Sequence, residues 1–205
     1  MSAQSGVPVI GLLMDDVCQD ILQDARILVG VTGGIAAYKT ATLVSMLAQA
    51  GAQVTVCMTE SAQRFVTPLT FEALSGRAVY TSIWHHVESY GPEHIALARD
   101  ARAMVIAPCT MDCLARLALG RADDGVSLIT SAIDRSRTPI LLAPAMNTTM
   151  WEQPATQRNI KTLRSDGFGI VGPGDGWQAC RKVGPGRMAE PDEIFNALCA
   201  RLGGS

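Results

Sequence analysis

Four short apolar runs, Ile27–Val31, Val54–Met58, Ala103–Ala107 and Ile140–Ala143, recur along the chain with helix-patterned stretches between them. The runs favour β-branched residues and lack in–out alternation, so each strand must be covered on both faces. Strands that alternate with helices and are buried on both sides predict a parallel sheet between two helical layers. The fold class is therefore α/β: a three-layer, doubly wound parallel sheet, flavodoxin-like or Rossmann-like. Helices are predicted over 35–50, 111–119, 127–133, 149–165 and 192–202, and Gly51 is a natural stop for the first. Shorter strands are predicted near Val79 and at Ile170–Val171. Ligands of such sheets bind beyond the carboxyl ends of the strands, so function is expected in the loops at 32–35, 59–61, 107–113 and 143–150.

The 205 residues fit one domain, 26–205, preceded by an extension over residues 1–25 with a short helix around Asp15–Asp24. With 48% hydrophobic and 18% charged residues, that domain can bury a core without disulfide staples. A net charge of −2 with scattered cations argues against nucleic acid and anionic membrane as partners. Val7–Met14 is too short to span a bilayer and no basic region precedes it, so a cytoplasmic location is expected. The cysteines (18, 57, 109, 113, 180, 199) show no disulfide framework, and with histidines only at 85, 86 and 94 no zinc pattern can be built. No metal is expected, and most of the thiols should be buried small hydrophobes.

Each strand-end loop carries polar residues of a particular kind. Gly30-Val-Thr-Gly33-Gly34-Ile-Ala-Ala-Tyr38-Lys39-Thr40 follows a strand and opens a helix, where glycines let backbone N–H groups approach an anion. Tyr38 stands where a P-loop needs glycine, and G-x-G-x-x-G is missing, so a mononucleotide phosphate fits better than a dinucleotide. Tight strand-to-helix packing with no ligand is the alternative, and Lys39 reads as a solvated helix residue. Thr59-Glu60-Ser61 offers hydroxyls and a helix cap, and Glu60 keeps a ribose contact to NAD open. Thr110 and Asp112 are placed to cap a helix or touch a ligand. Asn147 follows an Ala-Pro strand end and can donate and accept, which suits orienting a carboxylate. Met150 and Trp151, taken alone, read as core. His94 heads a helix, and His85 and His86 read as structural or exposed. Residues 172–191 are so rich in glycine and proline that a mobile loop is expected, with Cys180 inside it able to supply a proton or a thiolate to bound substrate; a flexible linker to the last helix is the alternative.

These segments together resemble the flavin-containing cysteine decarboxylase family. Pro144-Ala-Met-Asn147-Thr-Thr-Met150-Trp151 is similar to the family's Pro-x-Met-Asn-x-x-Met-Trp motif, and His94-Ile-x-Leu-Ala to its active-site histidine motif. Ala179-Cys180 through Gly184-x-Gly186-Arg187-Met188-Ala-Glu190-Pro191 resembles its substrate clamp. The resemblance spans about residues 26–191 and implies FMN held by Gly33, Gly34, Ile35, Thr59, Ser61, Thr110 and Ala145. It implies a homo-oligomer, a trimer or a multiple of trimers, with each flavin at a subunit interface. It also implies decarboxylation of 4′-phospho-N-pantothenoylcysteine to 4′-phosphopantetheine in coenzyme A biosynthesis, by an enzyme standing alone because the chain ends at 205. His94 and Cys180 are the implied catalytic residues; Asn147, Met150, Ala179 and Arg181 the implied substrate contacts. Two positions depart from the family pattern: Asp112 replaces asparagine, where its charge would oppose an anionic reduced flavin, and Arg181 replaces the glycine after the clamp cysteine. A peptidyl-cysteine flavin decarboxylase and a non-catalytic flavoprotein subunit are the alternatives.

Overall fold

The computed structural model describes residues 17–84, 93–179 and 181–204. Cys180, His85, His86 and most of the N-terminal extension lie outside them. Five strands, β1 (Arg26–Val31), β2 (Gln53–Met58), β3 (Ala103–Cys109), β4 (Ile140–Pro144) and β5 (Gly169–Ile170), form one sheet in the order β2-β1-β3-β4-β5. All four pairings are parallel. The doubly wound sheet predicted from the uniformly apolar runs is present, and all seven residues of β3 are buried. The expected strand near Val79 is reduced to a single bridge between Cys57 and Tyr80.

Helices cover both faces. On one side lie α1 (Ala37–Gln49), α2 (Pro68–Ser75) and α8 (Pro191–Gly203); on the other lie α3 (Glu93–Asp100), α4 (Met111–Ala118), α5 (Gly125–Ala132) and α7 (Pro154–Ser165). Two apolar clusters result. Ile27, Val29, Leu43, Leu47, Phe71 and Leu198 belong to the first, and Leu28, Ile106, Leu114, Ile129, Leu142 and Leu163 to the second. Alternate residues of β1 thus point into opposite cores, and each fully buried side chain of this kind contributes roughly 1.5–3 kcal/mol.

Three elements differ from expectation for identifiable reasons. Helix α2 is announced by Pro68 in its first turn and closed by Gly76, whose φ of 67° gives a left-handed stop. The single helix expected over 149–165 is two, α6 (Thr148–Glu152) and α7, because the ring of Pro154 tolerates only a first-turn position. The largest difference is at 172–191, where a mobile loop was expected. There β6 (Gly174–Trp177) and β7 (Val183–Arg187) pair antiparallel as a hairpin.

Residues 17–22 are helical, and Leu22 (fully buried) and Cys18 pack in the first cluster with Leu198 and Cys199 of α8. The packed structure therefore begins ahead of Arg26. Leu22→Ala is expected to lower unfolding free energy by about 2–5 kcal/mol, as for other large-to-small core changes. Urea titration checks this; a loss under about 0.5 kcal/mol would mean that this helix is not part of the cooperative core.

Candidate active site

In a sheet of order 2-1-3-4-5 the chain winds one way from β1 to β2 and the other way from β3 onward, leaving a crevice between the ends of β1 and β3. The structure has a cleft of about 400 Å³ there, within the usual range for small-ligand sites. Thr32, the first residue after β1, holds the two strand ends together. Its buried hydroxyl donates to the carbonyl of Pro108 at 2.6 Å and accepts from the backbone N–H of Thr110 at 3.1 Å. In the first turn of α1, Thr40 Oγ1 donates to the Ala107 carbonyl at 2.7 Å.

Gly33, Thr59, Ser61 and Thr110, four of the seven residues expected to hold a cofactor, line this cleft. Gly33 lies so close to the β2 loop that a Cβ there would meet Ser61 Oγ at 2.3 Å. The hydroxyls of Thr59 and Ser61 are 3.1 Å apart, and Thr59 Oγ1 also accepts from Ala62 N–H at 3.2 Å. Thr110 Oγ1 caps α4 by accepting from Cys113 N–H at 3.3 Å. Gly34 abuts the Thr110 methyl group, and Ile35 beside it is 60% exposed. Helix α1 starts at Ala36 without a side-chain cap, so its positive end is suited to an anion. Small residues, a hydroxyl rim and an uncapped helix start are what a phosphorylated ligand needs.

The opposite wall is ionic. Arg116 donates to Asp112 at 2.8 Å, also pairs with Asp123, and lies 3.6 Å from Asp124. The hydrogen bond to Asp112, ahead of the effect of Asp123, raises the guanidinium pKa still further. Asp112, where the family pattern has asparagine, is therefore half of an ion pair, so Arg116 offsets the charge it brings to this wall. Asp124 caps α5 in a reciprocal box with Ser127. Beneath this wall burial, with a lesser effect from Asp124, pushes the Cys57 thiol up to about 12, and burial also pushes Cys109 well above its ordinary value. All five described cysteines are buried.

The β4 loop builds a second station. Ala145 N–H donates to the Cys109 carbonyl at 3.1 Å, which anchors it beside β3. Asn147 caps α6, its Oδ1 accepting from Met150 N–H at 2.8 Å. Because the cap uses the oxygen, the amide Nδ2 is what Asn147 has for a carboxylate. Trp151 packs on the second core cluster, whereas Met150 is 38% exposed at the surface.

The hairpin lies on this loop. Met146 N–H donates to the Gly186 carbonyl at 2.9 Å, and Cβ atoms at Gly184 and Gly186 would meet Thr148 Oγ1 at 2.6 Å and the Met146 carbonyl at 2.3 Å. At its tip Gln178 N–H donates to Lys182 O, Arg181 N–H donates to Gln178 O, and Arg181 has φ of 63°. The position where the family pattern has glycine is thus left-handed, at a cost on the order of 1–2 kcal/mol for arginine. Ala179 and Arg181 are both exposed. At the hairpin base Glu190 accepts from Lys39 at 2.8 Å and pairs with Arg187. Lys39, expected in solvent, keeps only 11% exposure, and its hydrogen bond holds the Glu190 carboxyl below the usual range. Thr32, Gln178 and the Lys39–Glu190 pair were not singled out from the sequence. The run Glu190-Pro-Asp-Glu193, a helix start with a reciprocal cap, was the available signal for the last of these.

His94 is not among the described residues that line the cleft. It is half-buried in the first turn of α3, which packs on α5. Its neighbour Glu93 lies near Tyr80, whose hydroxyl is pushed up by burial first and by Glu93 second.

The family model described as Flavoprotein matches residues 19–203. Over 177 residues the chain is 48% identical to the coenzyme A biosynthesis bifunctional protein CoaBC of Haemophilus influenzae, covering 86% of this chain and 44% of that protein. The chain spans less than half the length of the curated relatives it matches. A solved PPC decarboxylase mutant complexed with pantothenoylaminoethenethiol is 29% identical with a TM-score of 0.78, covering 88% of this chain and 100% of the other. The FMN-dependent cysteine decarboxylase SpaF is 32% identical with a TM-score of 0.76, covering 89% and 99%.

Two measurements check this site. Thr32→Val, which leaves the Pro108 carbonyl without its donor, is expected to cost about 1–3 kcal/mol in urea unfolding and to weaken ligand retention. Stability is also expected to fall as pH rises above about 9, because Cys57 thiols ionise there in the unfolded chain but stay protonated in the native one until about 12. Urea midpoints at pH 8 and 10 should therefore differ less in Cys57→Ala than in the unsubstituted protein.

Proposed function

The chain belongs to the Flavoprotein family, and from that starting point we propose that it is an FMN-dependent decarboxylase converting 4′-phospho-N-pantothenoylcysteine to 4′-phosphopantetheine in coenzyme A biosynthesis. One juxtaposition carries the reading: Thr110, a hydroxyl on the rim of the β1/β3 cleft, directly follows Cys109, whose carbonyl anchors the Ala145–Asn147 loop on which the hairpin lies. The similarity to CoaBC proteins over most of this chain supports the same substrate.

FMN suits the residues present. Gly33, Gly34 and Ile35 would offer backbone N–H groups to its phosphate at the uncapped start of α1. Thr59, Ser61 and Thr110 would add hydroxyls, and Ala145 a small surface against the flat ring system. Bound there, FMN supplies the two-electron oxidation of the substrate thiol that gives the departing carboxylate an electron sink, and later returns those electrons. The protein's own residues bind, orient and move protons. Asn147 donates from Nδ2 to the substrate carboxylate, since its Oδ1 is held by the helix cap. His94 accepts the proton released in the oxidation, and Cys180 delivers one in the final reduction. Ala179, Arg181 and Met150 complete the substrate surface, with Arg181 as the cation for the phosphate.

The active unit is a homo-oligomer, a trimer or a multiple of trimers, in the cytoplasm. Ile35, Tyr38, Phe65 and Leu69 are 50–71% exposed on the flank where α1 packs against α2, a surface suited to a second copy. His94, outside the cleft lining of its own chain, would then complete a neighbour's site. Among the described residues no helix is long and apolar enough to cross a membrane.

The purified protein should be yellow and should release CO2 from phosphopantothenoylcysteine. His94→Asn should lower kcat by about 10²–10⁴-fold, as expected for loss of an acid–base group. Co-assembling His94→Asn with Cys180→Ser subunits should restore part of the activity, because mixed oligomers contain some intact sites. Release of CO2 from a peptide ending in cysteine but not from phosphopantothenoylcysteine would replace this substrate assignment, and full activity of His94→Asn would end its role as the base.

A further inference from the structure

The hairpin meets the rest of the molecule through few polar contacts, and one side chain makes most of those at its tip. Gln178 follows β6 and is only 7% exposed, although Trp177 and Ala179 on either side of it are exposed. Its carbonyl Oε1 accepts from the backbone N–H of Thr148 at 3.1 Å. Its amide Nε2 donates to Pro185 O at 2.8 Å, Thr148 Oγ1 at 3.1 Å and Gly184 O at 3.2 Å. One amide thus binds the two strands of the hairpin to each other and binds both to the residue after Asn147.

The surroundings fit that amide closely. A Cβ on Gly186 would meet Gln178 Nε2 at 3.1 Å, and a Cβ on Gly184 would meet Thr148 Oγ1, the same hydroxyl that Gln178 contacts. The two glycines of Gly184-Pro-Gly186 therefore leave room for this side chain and for the 146–148 backbone it binds. A buried amide with both ends bonded is also costly to misplace, since any shift of the hairpin leaves polar atoms unpaired. The arrangement has one low-energy register.

We propose that Gln178 is a positioning residue: it fixes the register of the 174–187 hairpin on the Asn147–Thr148 backbone, so that the hairpin tip and the Asn147 amide reach substrate as one rigid unit. The inference concerns a residue that does not itself touch the reacting atoms, and its link to catalysis rests on the function proposed above. Substrate capture, more than the intrinsic rate of the bound complex, depends on this register, because under the function proposed above the hairpin and Asn147 both contact the substrate.

Gln178→Met tests the proposal in the full-length flavin-loaded protein, since methionine keeps the length and volume of the side chain and removes its hydrogen bonds. Backbone amides of 174–177 and 183–187 are expected to exchange with deuterium at least about 10-fold faster than in the unsubstituted protein, while those of β3 keep their rates and the flavin content is unchanged. KM for phosphopantothenoylcysteine should rise by about 10-fold or more, with a smaller fall in kcat. Thr148→Val, which removes one of these bonds, should raise KM by less, and the double variant should be little worse than Gln178→Met alone, as befits two ends of one contact. Unchanged exchange in the hairpin, equal acceleration in β3, or strictly additive KM effects would overturn the proposal. If the unsubstituted protein does not decarboxylate this substrate, the function proposed above fails, and the exchange comparison still decides whether Gln178 sets the register.

Discussion

The hydroxyl of Thr32 is the point on which the site depends. Where the winding of the sheet reverses, β1 and β3 lose the helix that elsewhere bridges neighbouring strand ends, and their terminal carbonyls and amides face an opening. Thr32 closes that gap from below by donating to Pro108 and accepting from Thr110. The cleft can then be open to a ligand above while the backbone beneath it is satisfied. A valine of the same shape would keep the packing and lose both bonds, which is why a hydroxyl and not merely a branched side chain is needed there.

From this base the site rises in two tiers held by different physics. The lower tier is rigid because it is part of the sheet: Gly33, Thr59, Ser61 and Thr110 sit one to three residues beyond the buried carboxyl ends of their strands. The upper tier is a two-stranded hairpin, an element with little stability of its own in water. It is held by side-chain bonds at both ends, Gln178 at the tip and the Lys39–Glu190–Arg187 group at the base. Lys39 belongs to α1, the helix whose uncapped start is proposed to take the flavin phosphate, so the base of the hairpin is tied to that helix. A strong lower tier and a conditionally held upper one suit a site that must admit a substrate and then exclude water.

How much of this could be read from the chain follows from the range of each interaction. The strands were legible because uniform burial leaves an uninterrupted β-branched run, and the places to look for ligands followed from the strand ends. The motif containing Asn147 pointed to the loop after β4 on which the hairpin lies, and Thr59, Ser61 and Thr110 read as hydroxyls beyond strands, where the cleft opens. The hairpin was not legible: its glycines and prolines obey no period-2 pattern, and what orders it is a glutamine bonded to a threonine thirty positions away. Lys39 misled for the same reason, since nothing local in an alanine-rich helix announces a partner at Glu190. Asp112 was weighed only against the ligand, although the helix expected over 111–119 already sets Arg116 one turn on, where it pairs with that carboxylate.

The close approach of Gly33 to Ser61 has a consequence for the history of such a chain. A side chain at the first position would occupy the space that the hydroxymethyl group of the second already fills. The constraint runs one way across two loops that come from different strands: the first position can gain a side chain only where the second has lost its own, whereas the second can shrink freely. In a lineage of related sequences glycine should therefore persist at the first site for as long as any side chain occupies the second.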